Sequence, residues 1–316
     1  LKYYLLYGLM IRSEVELPCD YHMEVSDEKV DVTVRHSIGK LNEFEEIHLV
    51  ERKYDGHLRS YYTGNGILIC ASDNIRIFAE DSGREIVVDT DNDLLQEAAL
   101  FIIGLMISIC IIFRENVPLH ASGMEMNNKI YAFLASSGTG KSTLLHYLQN
   151  NGGSFVTDDV LPIHFNHLVI GQPSYSLHSK LWGSTLENLY EDITPYTRIM
   201  PHIDKYWVPI REEHRLMKPC TVSTLYVLSP SENADNVYIN QITGTRLFTL
   251  LLENTQGIWA VPPVIQKRLF PQYSKILQKV KVCEVVYKKS YKDIHILVDT
   301  LVREMQATNN SSVKED

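Results

Sequence analysis

Apolar positions follow two rhythms along this chain. Up to about residue 90 they alternate or form short runs: KYYLLYGLMI at the start, then VDVTVRH, GILICAS, IRIFAE and, after a Ser-Gly turn, DSGREIVVD. Period-two patterning between turn signals at Thr63–Gly66 and Ser72–Asn74 predicts strands, hence a small, mainly antiparallel layer. DNDLLQEAALFIIGLMISICIIF then predicts one long helix with Asp91 or Asp93 as its N-cap. That helix is apolar all round, so it is predicted to be covered on most sides. Its apolar run, Ala98–Phe113, has sixteen residues and is closed off by Glu97 and Arg114. A bilayer crossing needs roughly twenty, so burial is expected and membrane insertion is not.

After Pro118 the pattern changes. LHASGMEM and KIYAFLA flank Asn127–Asn128 and predict a hairpin, and its second strand runs into a glycine-rich loop. GKSTLLHYLQNN predicts a helix stopped at Gly152–Gly153, and SFVTDD a short strand ending in two aspartates. Two short strands are expected between Leu161 and Ile170, and a partly helical segment from Ser174 to Tyr196. CTVSTLYVLS, NVYINQI and VCEVVYK predict strands, with helices near Arg246–Asn254, Val264–Val280 and in DIHILVDTLVREMQ. The whole reads as an α/β chain: a β-rich lobe over 1–92, a catalytic domain over 93–305 with a basic helical C-terminal part, and a frayed tail over 306–316.

Composition narrows the function classes. With 316 residues, 45% of them hydrophobic and 22% charged, the chain suits one or two globular domains. A net charge of -9 argues against a general nucleic-acid binder. The charge is polarised: Glu14–Glu97 holds 20 acidic and 8 basic residues, Ala260–His295 8 basic and 2 acidic. Five scattered cysteines without a CxxC pair offer no zinc site and suit a reducing compartment, and nothing at the start reads as a secretory signal. A cytoplasmic protein is expected.

The sharpest chemical signal is Ala135-Ser-Ser-Gly-Thr-Gly-Lys-Ser142. It matches G-x-x-x-x-G-K-[ST] except for its first residue. Such a loop turns backbone N–H groups inward at a helix N-terminus whose dipole favours anions. Ser136, Ser137, Gly138, Thr139, Gly140, Lys141, Ser142 and Thr143 are therefore the predicted nucleotide-binding residues. Lys141 is predicted to reach the β- and γ-phosphates, and Ser142 to ligate Mg²⁺. A serine-rich turn ahead of a core helix would leave Lys141 unexplained. Asp158 and Asp159 end a strand sixteen residues beyond Ser142, which allows a helix, a turn and a return beside the loop. One carboxylate can hold Mg²⁺ and the other can take the proton of an attacking hydroxyl. Neighbours on a strand face opposite ways, so both reach the site only if the strand end bends. His120, on the strand that pairs with Tyr131's, is a candidate proton shuttle or phosphoryl ligand.

LHASGMEMNNKIYAFLASSGTGKSTLLHYLQNNGGSFVTDDV resembles the HPr serine kinase/phosphorylase superfamily, and is more similar to its HPr-kinase-like members encoded with ribosomal peptide biosynthesis genes. YGLMIRSEVELP and VDVTVRH resemble that group's N-terminal lobe. The resemblance implies an HPr-kinase-like P-loop core on a mixed sheet, with ATP and Mg²⁺ as cofactors. Lys141 and Ser142 take the phosphate and metal roles, Asp158 the base, Asp159 the metal side and His120 the upstream histidine. The residues themselves leave the order of the two aspartates open. The lasso-peptide members imply the substrate: a serine, the last residue of a precursor peptide. Ala135 stands where the sugar-regulation enzymes carry glycine, and their later glycine-rich signature is missing, which argues against HPr as substrate.

A transferase needs further cations at the transferring phosphate. Lys205 and Arg211 are the leading candidates, ahead of Arg215, Lys218, Lys180 and Arg246. The basic C-terminal run is expected to receive an acidic peptide or its terminal carboxylate. The predicted partners are a precursor peptide and, from relatives that form rings or dimers, a second copy of the chain. A small-metabolite kinase and a non-catalytic nucleotide switch are the alternative readings.

Overall fold

The computed structural model describes residues 1–19, 29–42, 48–53, 57–136, 138–201 and 203–312. The architecture is mixed α/β. Packing divides the chain into two compact units: Leu1–Leu119 with Pro162–Phe165 and Leu251–Lys275, and His120–Leu161 with Asn166–Leu250 and Ile276–Asp316. This line falls later than residue 92, because the long apolar helix packs with the strands that precede it.

The first unit is built on β1 (Lys2–Leu6), β2 (Leu9–Ser13), β3 (Val32–Ser37), β4 (His48–Lys53), β5 (Leu58–Tyr62), β6 (Gly66–Cys70), β7 (Arg76–Glu80) and β8 (Glu85–Asp89). Their order is β1-β2-β3-β8-β7-β6-β5-β4. All pairs are antiparallel except β2–β3 and β3–β8, which run parallel. Alternation aims Val32, Val34, Ile77, Ala79, Ile86 and Val88 into one fully buried layer. Leu68, Cys70 and Phe78 form a second cluster with Leu41. Gly66 is required by close approach: a Cβ there would sit 2.3 Å from the Ala79 carbonyl oxygen.

The expected single helix is present as Leu95–Phe101 and Ile107–Phe113 joined by a π-helical segment, Ile102–Met106. Asp91 precedes its opening 3-10 turn but makes no side-chain cap bond. By length and composition Asn92–Phe113 could cross a membrane, yet 67% of its most apolar window is buried. Ile102, Met106, Ile107, Ile109, Cys110 and Ile112 are fully covered, so it packs as a core helix. Arg114 anchors its end, donating to the Gly83 carbonyl at 3.2 Å, to Asp31 Oδ1 at 3.1 Å and to the Asp31 carbonyl.

The second sheet comprises β9 (Val117–Met126), β10 (Lys129–Leu134), β11 (Ser154–Thr157), β12 (Val160–Asn166), β13 (Leu168–Gly171), β17 (Cys220–Pro230), β18 (Tyr238–Gln241) and β19 (Lys281–Tyr287). Its order is β10-β9-β12-β13-β17-β19-β18, with β11 added on β9 and β10 also pairing β17 in parallel. Asn127 and Asn128 both adopt left-handed φ, 55° and 61°, as the predicted two-residue hairpin turn requires. The Ser174–Tyr196 segment, expected to be partly helical, contains both β14 (His178–Trp182) and the helix Gly183–Leu189. With β15 (Thr197–Met200) and β16 (Ile203–Pro209), β14 forms a separate three-stranded sheet, β14-β16-β15.

Behind the glycine-rich loop, the Lys141–Gln149 helix buries Leu144, Leu145 and Leu148 in one cluster with Leu297, Val298, Leu301 and Met305 of the Ile294–Ser312 helix. Both stripes follow i, i+1, i+4 spacing, the apolar face of a 3.6-residue period. Phe133 stacks on Tyr226 at 5.7 Å between ring centroids, and Tyr131 donates its hydroxyl to the Met305 carbonyl at 3.1 Å. The helix stops where predicted, at left-handed Gly152, and Gly153 N–H returns to the Leu148 carbonyl. Downstream, the helix predicted over Val264–Val280 is broken into Pro263–Gln266, a 3-10 turn and Phe270–Lys279. The closing helix continues to Ser312, past the point where fraying was expected, and residues 313–316 lie outside the described ones.

Leu148 is fully buried in the cluster that seats the loop's helix. Leu148→Ala should cost about 2–5 kcal/mol of stability, read as a lowered urea midpoint with unchanged slope.

Candidate active site

One strand sets the geometry. β9 pairs antiparallel with β10 (Leu134 opposite Ala121) and with β11 (Phe155 opposite Met124, Thr157 opposite Gly123). It therefore holds the strand that feeds the glycine-rich loop on one side and the strand that ends in the two aspartates on the other. His120 and Ser122, two residues apart, share one face of β9.

The loop leaves β10 at Leu134 and enters the helix at Lys141. Gly138 and Gly140 are left-handed, φ 79° and 110°, and a Cβ on either would meet nothing within 4 Å. Glycine is needed there for backbone conformation, and the space in front stays open. Gly140 is the helix N-cap and makes no side-chain cap bond, so no capping side chain claims the first-turn N–H groups. Lys141, only 8% exposed, donates to the Ala135 carbonyl at 2.6 Å and the Ser136 carbonyl at 3.4 Å. Burial lowers its pKa against the pull of Asp158 and Asp159, and Lys205 lowers it further. Ser136 and Thr139 are tied to each other through their hydroxyls at 3.1 Å, and Thr143 to Thr185 at 3.3 Å. Ser137 lies outside the described residues.

The bend required of the aspartate strand is present. The β11–β9 register shifts between Phe155 and Thr157, and Asp158 and Asp159 follow as a bend before β12. Both line one cavity of about 380 Å³ together with residues of the loop and helix, His120, Lys180 and Lys205. All of its lining residues belong to the second unit. The volume suits a small-molecule ligand.

The two carboxylates are held differently. Asp158 accepts from Ser122 Oγ (2.8 Å) and from the Lys180 backbone N–H (3.2 Å), and the Ser142 hydroxyl also bonds to it. Burial raises its pKa, these hydrogen bonds oppose the rise, and Asp159 adds to it. For Asp159, burial alone would raise the pKa as well. The Lys180 ammonium 3.0 Å from Oδ2 and the contact with His120 overcome it and hold the carboxyl far below the usual range. His120 stands between the charges, Nδ1 3.5 Å from Asp159 Oδ1 and Nε2 3.5 Å from Lys141 Nζ.

The sequence-derived set is thus mostly assembled. Gly138, Thr139, Gly140, Lys141, Ser142 and Thr143 line the cavity with His120, Asp158, Asp159 and Lys205. Ser142, whose hydroxyl helps lower the Asp158 pKa, and Asp159, the two expected metal ligands, line the same cavity. Arg211 does not join: it is exposed, does not line the cavity and acts on His146 and Tyr190. Arg215, Lys218 and Arg246 do not line it either, whereas Lys180, ranked behind Lys205 and Arg211, does. Lys205 rests over the Trp182 ring at 4.6 Å. The basic C-terminal run is dispersed, for Lys281 pairs with Glu304 at 3.0 Å and only Lys289 of the run lines the cavity. Ser122, Tyr287, Lys289 and Tyr291 were not foreseen. Ser122 carried a signal, lying two residues from His120; the others come from a strand-to-helix junction with no motif.

No protein-family model matches the chain, and no curated protein matches it in sequence. Among solved structures, the HPr(Ser) kinase/phosphatase from Coxiella burnetii is similar at 16% identity and a TM-score of 0.35, covering 63% of this chain and 98% of that one. This is a distant structural likeness to the HPr kinase/phosphatase fold.

Because Asp159's folded pKa lies below its unfolded value of about 3.9, its contribution to stability is present above that pH and is lost as pH falls through the folded pKa. Lys180→Met should raise the Asp159 pKa, read by carboxyl-carbon NMR titration. Acid unfolding of the variant should begin at a higher pH than in the parent chain.

Proposed function

We propose that this chain is a Mg²⁺- and ATP-dependent kinase that phosphorylates a serine hydroxyl of a peptide, the last residue of a lasso-type precursor. The observation that carries the reading is the juxtaposition in one cavity of an uncapped helix N-terminus, a buried lysine and two unequal carboxylates. A phosphate cradle alone would serve a switch; the second carboxylate suits transfer.

The residues present fit both cofactors. Left-handed glycines with open space before them, ahead of an uncapped helix, suit a polyphosphate. Ser142 and Asp159 offer the hard oxygen donors that Mg²⁺ takes alongside phosphate oxygens and water. Bound there, Mg²⁺ would neutralise charge on the phosphates.

The chain's own groups divide the remaining work. Asp158 is the proton acceptor for the incoming hydroxyl, since its environment raises its pKa while that of its neighbour is lowered. Asp159, kept ionised by Lys180, supplies fixed negative charge for the metal. His120 orients Asp159 and Lys141 toward the cavity. Lys141 leaves its carbonyl partners for the phosphates, and Lys205 adds a cation at the wall. A cytoplasmic setting goes with this reading, and five scattered cysteines without a CxxC pair support it.

Incubation with γ-labelled ATP, Mg²⁺ and peptides differing only in the last residue tests the substrate. Label is expected on the peptide ending in serine; label on the one ending in alanine would refute the terminal-serine assignment. Asp158→Asn should leave ATP binding near that of the parent and lower transfer by about 10²–10⁴-fold. Loss of ATP affinity instead would make Asp158 a metal residue. Lys141→Met should lose ATP binding itself.

A further inference from the structure

The strand-to-helix junction after β19 is fastened to the glycine-rich loop by groups the reading above does not use. Tyr287, buried at the end of β19, donates its hydroxyl to the Thr139 carbonyl at 3.2 Å. Two residues on, Lys289 Nζ donates to the Gly138 carbonyl at 2.6 Å. Tyr291 then meets Thr185 Oγ1 at 3.2 Å, and Thr185 meets Thr143 of the helix's first turn. All of these residues line the same cavity.

The lysines of the cavity differ in what already neutralises them. Lys180 is paired with Asp159. Lys205 lies on the face of Trp182, a weak partner. Lys141 and Lys289 rest on neutral loop carbonyls, Lys141 on those of Ala135 and Ser136 and Lys289 on that of Gly138. A carbonyl is a poor match for an ammonium when an oxyanion is at hand, because the oxyanion adds Coulombic attraction to the hydrogen bond. A nucleoside triphosphate stays anionic after one divalent cation binds it, so a cation beside Lys141 at the loop itself meets charge there.

We propose that Lys289 is a second phosphate-binding cation, held at the loop by Tyr287 and transferring from the Gly138 carbonyl to the terminal phosphates of the nucleotide. This rests on the nucleotide reading of the cavity. The junction contributes through position rather than motif: β19 and the Ile294–Ser312 helix are fixed by the same apolar cluster that seats the loop's helix.

Calorimetric titration of the full chain with ATP and Mg²⁺, and separately with inorganic triphosphate, tests it. Lys289→Met should weaken both by about tenfold or more, Lys289→Arg should restore most of the affinity, and exposed Lys288→Met should bind as the parent does. Tyr287→Phe should weaken both ligands less than Lys289→Met. Unfolding midpoints of the variants control for misfolding. Lys289→Met binding both ligands like the parent overturns this proposal alone. Failure of the parent chain to bind either ligand overturns the nucleotide reading and this proposal with it.

Discussion

The second unit's chemistry depends on the double pairing of β9. Hydrogen bonded to β10 on one edge and to β11 on the other, it brings together two chain segments that a helix separates in sequence. The loop's helix has no freedom to wander, since its apolar stripe is locked against the last helix. The Ser122–Asp158 hydrogen bond then ties the aspartate bend back to the same strand. A few backbone ladders thus fix the spacing between an anion-attracting helix end and two acids.

Within that frame burial raises the pKa of both acids, and the balance is tipped by unequal partners. At Asp158 the Lys180 backbone N–H only opposes the rise, whereas at Asp159 the Lys180 side chain, with His120, reverses it, so adjacent, chemically identical acids acquire opposite tendencies. Two like charges side by side would otherwise repel and share a proton. An ammonium on one of them separates their pKa values without any difference in residue type. Lys180 is available because β14 belongs to its own small sheet, paired directly with β16, the strand that carries Lys205.

Much of this was legible in the chain and some was not, for physical reasons. The hairpin, the glycine-rich loop, the helix stop at Gly152 and the need for a bend at Asp158 all follow from local backbone rules acting over a few residues. β14 was hidden because HSKLW is short and runs straight into the helix Gly183–Leu189 without a turn signal between them. The π segment was hidden because an unbroken apolar run carries no mark of a local change in hydrogen-bond spacing. Arg211 was named because it follows an aromatic strand, but that strand ends before it and the side chain turns to solvent. Lys289 is more than a hundred residues from the loop it touches, and no spacing rule spans that distance.

The turn at Asn127–Asn128 has a consequence beyond its own two residues. Side chains on a strand alternate, so the length of that tight connection decides which of β9's side chains look toward the loop. Inserting one residue there and letting the ladder slip would swing His120 and Ser122 to the opposite face while keeping every backbone hydrogen bond satisfiable. A short asparagine pair with no functional group in the cavity is in effect the gauge that aligns the acids with the cradle.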